Sequence, residues 1–263
     1  MESMRHVVHI GFHKTGSTWL QEHIFPNAQR VIPTTDDKLA YQLIRDLTEG
    51  EVFRHSTFEA YVNEAPGRLL LSYEGIVGSP WNLGVTADER ADRLSSVVPG
   101  ADIVVIRRDP SELRRSLYVQ YIQQGGAGTE STFEEEVLNR DYLDVDGGIA
   151  RFQERFERVH VFPYELLKRS PAEFLAQLGD AVDAGFSLPE RVALVNPSLR
   201  GWRLSALRWW NRAFRKTMWN PDPWVALPGA GVFRYALQYA QADGLREVLR
   251  RYKTRGSRDT ADL

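Results

Sequence analysis

The chain has 263 residues, of which 43% are hydrophobic and 26% are charged, and this composition indicates a folded globular protein rather than a disordered one. Its formal net charge of -2 argues against wholesale electrostatic binding to nucleic acid, so any anion site has to be local. The absence of cysteine excludes disulfides, thiolate zinc sites and a thiol nucleophile. The N-terminus lacks the apolar region of a signal peptide, and no stretch approaches the roughly 18 apolar residues that span a bilayer. We therefore expect a cytoplasmic protein without a transmembrane segment.

Short apolar strands alternate with longer amphipathic segments, which predicts one α/β domain over residues 1–263 with a central parallel sheet flanked by helices. The predicted strands are residues 5–11, 30–33, 68–72, 102–107 and 158–163. The predicted helices are residues 16–25, 37–47, 87–98, 110–124, 147–155, 171–179, 204–216 and 233–252. The expected subdivision is a core at about 5–180, a helical part rich in tryptophan and arginine at 196–252, and a polar tail at 253–263.

The first strand leads into "GFHKTGST", a loop bounded by two glycines and followed by a helical pattern. Gly11 and Gly16 have the spacing of a phosphate-binding loop, G-x-x-x-x-G-K-[ST]. Ser17, however, stands where that motif has its lysine, and Lys14 lies inside the loop. A strand–loop–helix unit points the loop amides and the helix N-terminus at one spot, and that spot favours an anion. The hydroxyls of Ser17 and Thr18 add further donors.

A second cationic feature lies at the end of the strand predicted at 102–107, where Arg107 is followed directly by Arg108. A triphosphatase is expected to place an acidic residue here to organise Mg²⁺. Asp109 is better interpreted as the cap of the next helix, because proline and then a reaching-back glutamate follow it. The arginines at this strand end indicate recognition of a second phosphate. Arg108 and Ser116 are eight residues apart.

The segments "GFHKTGST" and "RRDPSELRRSLY" resemble the two signature motifs of sulfotransferases that use 3'-phosphoadenosine 5'-phosphosulfate (PAPS). "VHVFPYELL" resembles a further segment of that family, and the resemblance covers about residues 6 to 180. It implies a P-loop-like fold, PAPS as the donor with adenosine 3',5'-bisphosphate (PAP) as its product, and no metal. It also implies that the first loop holds the 5'-phosphosulfate and that an arginine and a serine hold the 3'-phosphate. A basic, glycine-containing loop, here "VNPSLRGW", is similar to one that closes over the 3'-phosphate. The cofactor contacts implied in this way are Lys14, Thr15, Gly16, Ser17, Thr18, Arg108, Ser116, Arg200 and Gly201.

Three residues are candidates for the chemistry. Lys14 is placed to stabilise the charge that grows on the leaving phosphate oxygen. Glu74 follows the apolar strand in "RLLLSYEG", so it is expected at the edge of the sheet where ligands bind, as general base for the acceptor. The resemblance supports this role, because sulfotransferases that act on carbohydrates place a glutamate after the strand between their motifs. A structural ion pair or a cap is the alternative for Glu74. His13 is the rival base, because histidine titrates near neutrality, or it is a loop side chain that points outward.

Residues 202–224 contain five of the seven tryptophans, interleaved with arginines. One interpretation is a helix that packs on the domain, with arginine stems covering aromatic faces. The other is a contact surface for the acceptor, for self-association or another partner subunit, or for a membrane.

The sequence thus predicts a sulfotransferase that moves a sulfuryl group from PAPS to a hydroxyl or amine of an acceptor, either a glycan or a small molecule. Two alternatives stay open. A small-molecule kinase would need a lysine at position 17 and a metal-binding aspartate at a strand end. A non-catalytic protein would keep the nucleotide fold and use the tryptophan-rich segment to bind partners.

Overall fold

The computed structural model describes residues 5–81, 85–189, 199–233 and 237. Its centre is a five-stranded sheet in which every pairing is parallel and the strand order is β2-β3-β1-β4-β5. The strands are β1 (Val7–His9), β2 (Ile32–Pro33), β3 (Leu69–Ser72), β4 (Asp102–Arg107) and β5 (Arg158–Pro163). The predicted fold class, a parallel sheet flanked by helices, is confirmed. The bounds of β4 and β5 are those predicted, whereas β1, β2 and β3 are shorter.

Helices connect the strands and cover the sheet. They are α1 (Ser17–Trp19), α2 (Lys38–Thr48), α3 (His55–Asn63), α4 (Ala87–Val97), α5 (Pro110–Gln123), α6 (Glu130–Thr132), α7 (Val145–Gln153), α8 (Tyr164–Arg169), α9 (Pro171–Val182) and α10 (Trp202–Phe214). Shorter turns lie at Phe25–Asn27, Glu74–Ile76 and Arg140–Leu143, all of 3₁₀ type. The helix predicted at 233–252 and the tail at 253–263 lie almost entirely outside the described residues.

Local signals explain which helices were predictable. Asp109 caps α5 as expected, because its Oδ1 accepts hydrogen bonds from the backbone N–H groups of Ser111 and Glu112, each at 3.0 Å. The helices α3 and α8 were not predicted, and neither begins at a residue whose side chain caps it. Without a cap, only tertiary packing distinguishes these short segments from loops.

The helix predicted at 16–25 is not a regular α-helix. After the three residues of α1 it continues as a π-helix over Leu20–Ile24 and then as the 3₁₀ turn. Segments of π-helix are uncommon and occur frequently near functional sites. This one directly follows the glycine-bounded loop.

The apolar core lies against the sheet. In β1, β3 and β4 almost every residue is buried, so these strands are covered on both faces, as parallel strands usually are. One buried cluster joins the strands to the first helical segment and to α8 and α9; it includes Val7, Leu20, Ile24, Phe25, Val104, Ile106, Phe162, Leu167, Phe174 and Leu178.

The chain divides into two compact units. The first comprises Met1–Arg114 and Leu138–Ala193 and contains the sheet, and the second comprises Arg115–Val137 and Leu194–Leu263. Within the second unit, buried Asn211 on α10 donates hydrogen bonds to the carbonyls of Ile122 and Gly126, at 2.7 and 2.8 Å. That amide ties α10 to the last turn of α5 and to the loop that follows it. That the whole chain forms one domain stays a prediction.

Across the described ranges, no helix combines the length and the apolar composition that a bilayer crossing requires.

Candidate functional site

Strand order brings three loops together at one edge of the sheet. β1 pairs with β3 on one side and with β4 on the other, and Val8 is level with both Leu71 and Ile103. The strands β2 and β3 lie on one side of β1, and the later strands β4 and β5 lie on the other side. The direction in which successive strands are added to the sheet therefore reverses at β1, and its carboxyl end lies at this switch point. Open parallel sheets bind ligands at this point. The segments that follow β1, β3 and β4 carry the residues singled out in the sequence.

The loop after β1 has left-handed backbone at two positions, with φ of 65° at Lys14 and 88° at Gly16. A lysine in this conformation costs roughly 1–2 kcal/mol, and such backbone strain clusters at functional sites. The hydroxyl of buried Thr15 donates to the carbonyl of Phe12 at 2.6 Å and closes the turn. Left-handed turns of this kind aim successive N–H groups into one concavity, which suits an anion.

Gly11 is needed because two polar side chains crowd it. A Cβ at this position would lie 2.6 Å from Ser17 Oγ and 2.9 Å from the ring of His9. Ser17 Oγ is buried and has no hydrogen-bond partner among the described residues. Burying an unpaired hydroxyl is costly, so this atom suits a hydrogen bond to a bound ligand. The neighbouring Thr18 is half-buried on α1.

His9 lies beneath this loop at the end of β1 and is fully buried. Its Nδ1 is 2.8 Å from Ser72 Oγ, which also accepts a hydrogen bond from the amide of Gln21 at 2.9 Å. Burial lowers the pKa of His9 to about 4, so the ring is neutral at physiological pH. His9 therefore supports the loop as an uncharged side chain.

His13 connects the loop to Tyr142. The backbone N–H of His13 donates to the Tyr142 hydroxyl at 2.7 Å, and the same hydroxyl lies 2.9 Å from His13 Nδ1. Burial lowers the pKa of His13, with the charges of Lys14 and Arg90 adding to the effect and that of Glu74 opposing it. Burial also raises the pKa of Tyr142, so the phenol keeps its proton and can donate it to Nδ1.

Glu74 reaches the other side of the same imidazole. It begins the turn Glu74–Ile76, two residues after β3, and its Oε2 lies 4.0 Å from His13 Nε2. Its side chain is 29% exposed, so Glu74 is partly accessible to solvent. Glu74 and His13 therefore belong to one cluster at the sheet edge. Their predicted catalytic roles stay predictions.

Arg108 joins the end of β4 to the loop. Its Nη1 donates a hydrogen bond to the carbonyl of Lys14 at 2.6 Å. Its guanidinium also lies 4.6 Å from the ring centre of Tyr164, and its Nη2 lies 3.4 Å from Glu112 Oε2. Its Nε is buried without a hydrogen-bond partner among the described residues. Arg107, by contrast, is exposed and makes a two-pronged pair with Asp146, at 2.8 and 3.0 Å. Of the two arginines, Arg108 is the one that contacts the loop.

Three further predicted contacts belong to the second unit. Ser116 is half-buried on α5. Arg200 and Gly201 are exposed directly before α10, and Gly201 has a φ of 57°. Their assignment to the 3'-phosphate stays a prediction.

Two aromatic residues of the cluster were missed as functional candidates. Tyr142 is 129 residues from His13, and nothing in its local sequence indicates the contact. Tyr164 had a signal, because it follows β5 in the segment that resembles a sulfotransferase motif. Its ring also approaches Gly16, where a Cβ would lie 3.8 Å from Tyr164 and 2.8 Å from Leu167.

Within the described ranges, no three histidine or acidic side chains lie close enough together to hold a metal ion. The expectation that no metal is needed stays a prediction.

Comparison with known proteins gives a likeness of fold. A crystal structure of a sulfotransferase from Alicyclobacillus acidocaldarius matches with a TM-score of 0.54 and 14% sequence identity, over 73% of this chain and 87% of that one. No family model and no curated protein matches the chain. At this identity the match shows that the two proteins share a fold.

Proposed function

We propose that this protein is a sulfotransferase that moves a sulfuryl group from PAPS to a hydroxyl or amine of an acceptor. The observation that carries the proposal is the convergence of Lys14, Glu74 and Arg108 at the carboxyl edge of three adjacent strands. Each follows a different strand, and the first and third belong to the two segments that resemble sulfotransferase motifs. The shared fold with a sulfotransferase supports the same conclusion.

The residues of the loop fit the phosphosulfate end of the donor. Ser17 Oγ and Arg108 Nε are buried polar atoms without hydrogen-bond partners in the described chain. The left-handed turn at Lys14 and Gly16 leaves the backbone accessible to an oxyanion. We assign the 5'-phosphosulfate to this loop. The assignment of the donor's 3'-phosphate to Arg108 and Ser116 rests on the resemblance of their sequence segment to the sulfotransferase motif. The donor supplies an activated sulfuryl group, and the chain supplies positioning and positive charge.

Glu74 is the better candidate for the general base. It is an ionisable carboxylate with partial access to solvent, next to the loop. His13 is less suited, because Tyr142 occupies its Nδ1 and burial lowers its pKa. In this proposal His13 orients Glu74, and Glu74 takes the proton that the acceptor loses.

The acceptor is proposed to bind near Phe12 and Tyr142. Both residues line a cavity of about 380 Å³ in the first unit. The walls of this cavity also carry Asn139, Asp141 and Arg151. Hydrogen-bonding side chains of both charge signs suit a molecule rich in hydroxyl groups, such as a sugar.

Thermal unfolding in the presence of nucleotides tests the donor assignment. We expect PAP to stabilise the protein without added metal, and more than ATP with Mg²⁺ does. Ligand at about 100 times its Kd contributes roughly 2.7 kcal/mol, which raises the midpoint by about 5–10 °C for a chain of this size. Stabilisation by ATP with Mg²⁺ alone would favour a kinase instead. No response to any of these nucleotides would remove the basis of the proposal.

A further inference from the structure

The second unit exposes an unusual amount of apolar surface. Half of the large apolar side chains that are exposed in the described ranges lie between positions 202 and 227. They include Trp202, Trp224 and Trp209, whose exposed fractions are 70%, 63% and 55%. Single exposed apolar residues are ordinary, whereas a contiguous group of them marks an interaction site.

These side chains are held in place by the backbone. On α10 the exposed positions are 202, 205, 209 and 212, which follow the three- and four-residue spacing of one helix face. The segment after the helix is tied to its last turn, because the N–H groups of Val225 and Leu227 donate to the carbonyls of Ala213 and Phe214, at 2.9 and 3.1 Å. The rings of Trp209 and Trp224 meet edge to face at 6.2 Å. The helix and the segment after it therefore present their exposed apolar groups from a hydrogen-bonded backbone.

Positive charge surrounds the same groups. Residues 200–233 carry six arginines and lysines but a single acidic residue, Asp222, although the whole chain has a net charge of -2. Arg212 shares the exposed face of α10, and Lys216 is exposed two residues after the helix ends. We call the group formed by Trp202, Trp209, Arg212, Lys216, Trp224, Val225 and Leu227 the tryptophan–arginine surface.

We propose that the tryptophan–arginine surface binds the headgroup region of an anionic lipid bilayer. Tryptophan suits that region because its ring has an apolar body and one polar N–H group. Arginine and lysine extend apolar stems along the same surface and place their charge among anionic headgroups. A bilayer also accepts protruding side chains without a matching pocket. None of the residues of this surface is among the candidate site residues, so the proposal does not depend on the proposed reaction.

Vesicle co-sedimentation tests the proposal with two variants of the surface, each compared with a control variant in the first unit. Arg212→Gln/Lys216→Gln removes two cations of the surface, and Lys38→Gln/Arg140→Gln removes two exposed cations of the first unit as its control. Trp209→Ser/Trp224→Ser removes two exposed rings, and Val52→Ser removes a residue of the first unit that is 76% exposed. Thermal unfolding of each variant reports whether it is folded.

We expect wild-type protein to sediment with vesicles of phosphatidylcholine and phosphatidylglycerol but not with phosphatidylcholine alone. Each cation removed from the surface should weaken binding about fivefold, so the double variant should bind about 25-fold less tightly. Loss of each tryptophan should weaken it about tenfold. The controls should bind as wild type does, and added salt should weaken all binding.

Vesicles with bromine-labelled acyl chains give a second measurement, and it needs no mutation. The bromine atoms quench the fluorescence of tryptophans that enter the bilayer. We expect quenching of wild-type fluorescence in anionic vesicles. Several outcomes would overturn the proposal: no preference for anionic vesicles, equal losses in the surface and control variants, or binding without quenching. Light scattering that shows a dimer, dissociated by Trp209→Ser/Trp224→Ser, without vesicle binding would assign the surface to a second copy of the chain.

Discussion

Acidification is expected to weaken the first unit through His9, the neutral histidine beneath the loop. In the folded protein the pKa of this residue is lowered from 6.5 to about 4 by burial. The unfolded chain therefore binds a proton more readily than the folded one between these two values. The contribution of neutral His9 to the free energy of unfolding is fully present above pH 6.5, and it is lost as the pH falls toward 4.

The magnitude follows from the two pKa values. By proton linkage, protonation of His9 in the unfolded chain removes about 2 kcal/mol of folding stability at pH 5 and about 3 kcal/mol at pH 4. Domains are stable by only about 5–15 kcal/mol, so this single group accounts for a substantial fraction. His6 and His13 also have pKa values lowered mainly by burial, and they add to the effect in the same direction.

Comparing variants isolates His9 from the other histidines. Asparagine at position 9 does not titrate in this range but offers a polar atom near the place of Nδ1, so His9→Asn should show a smaller loss of stability between pH 7.5 and pH 5. We expect urea unfolding, followed by circular dichroism, to give a loss about 2 kcal/mol larger for wild type than for His9→Asn. His55→Asn, at a histidine whose side chain is 44% exposed, is the matched control and should behave as wild type does. Equal losses in wild type and His9→Asn would refute the reasoning.

Three further predictions concern the candidate site. Glu74→Gln should lower kcat about 10²–10⁴-fold with PAP affinity unchanged, because it keeps the shape of the base but removes its basicity; an unchanged kcat would exclude Glu74 as the base. Lys14→Ala should lower kcat about 10²–10³-fold with a smaller change in KM, since its charge acts where negative charge develops; raised KM with normal kcat would assign Lys14 to ground-state binding. Arg108→Ala should weaken PAP binding by about 1.5–3 kcal/mol, which is more than it weakens the binding of adenosine 5'-monophosphate. Calorimetry measures both affinities, and Arg107→Ala is the control variant. Equal losses of the two nucleotides would mean that Arg108 acts only through the Lys14 carbonyl.

The sheet was predictable because its signals are local. A buried parallel strand such as Asp102–Arg107 is a short apolar run, and this strand has the predicted bounds. The edge strand Arg158–Pro163, which is only partly buried, also has the predicted bounds. The position of Glu74 relative to the loop was predictable for a related reason, since the carboxyl ends of parallel strands share one edge. The irregular helix over Leu20–Ile24 was not, because its apolar spacing also fits an ordinary α-helix.

Contacts between distant parts of the chain could not be predicted. The contact of His13 with Tyr142, which lies in a turn 129 residues later, is one of them. Local patterns carry no information about such a pair. The complete burial of His9 could not be predicted either, because a histidine in a short strand fits a solvated or a buried site equally well.

The contact between Arg108 and the loop offers a physical reason why the two motifs belong together even before a ligand binds. Lys14 has left-handed backbone, which costs a residue with a Cβ roughly 1–2 kcal/mol. In that conformation its carbonyl accepts a hydrogen bond from the Arg108 guanidinium at 2.6 Å, and a hydrogen bond to a charged donor contributes about 1.5–3 kcal/mol. The arginine thus offsets the strain of the lysine from 94 positions away. A glycine at position 14 would need no such support, but it would also bring no charge to the anion site. The loop can therefore keep a lysine inside its turn because Arg108, the residue that follows β4, holds the turn in place.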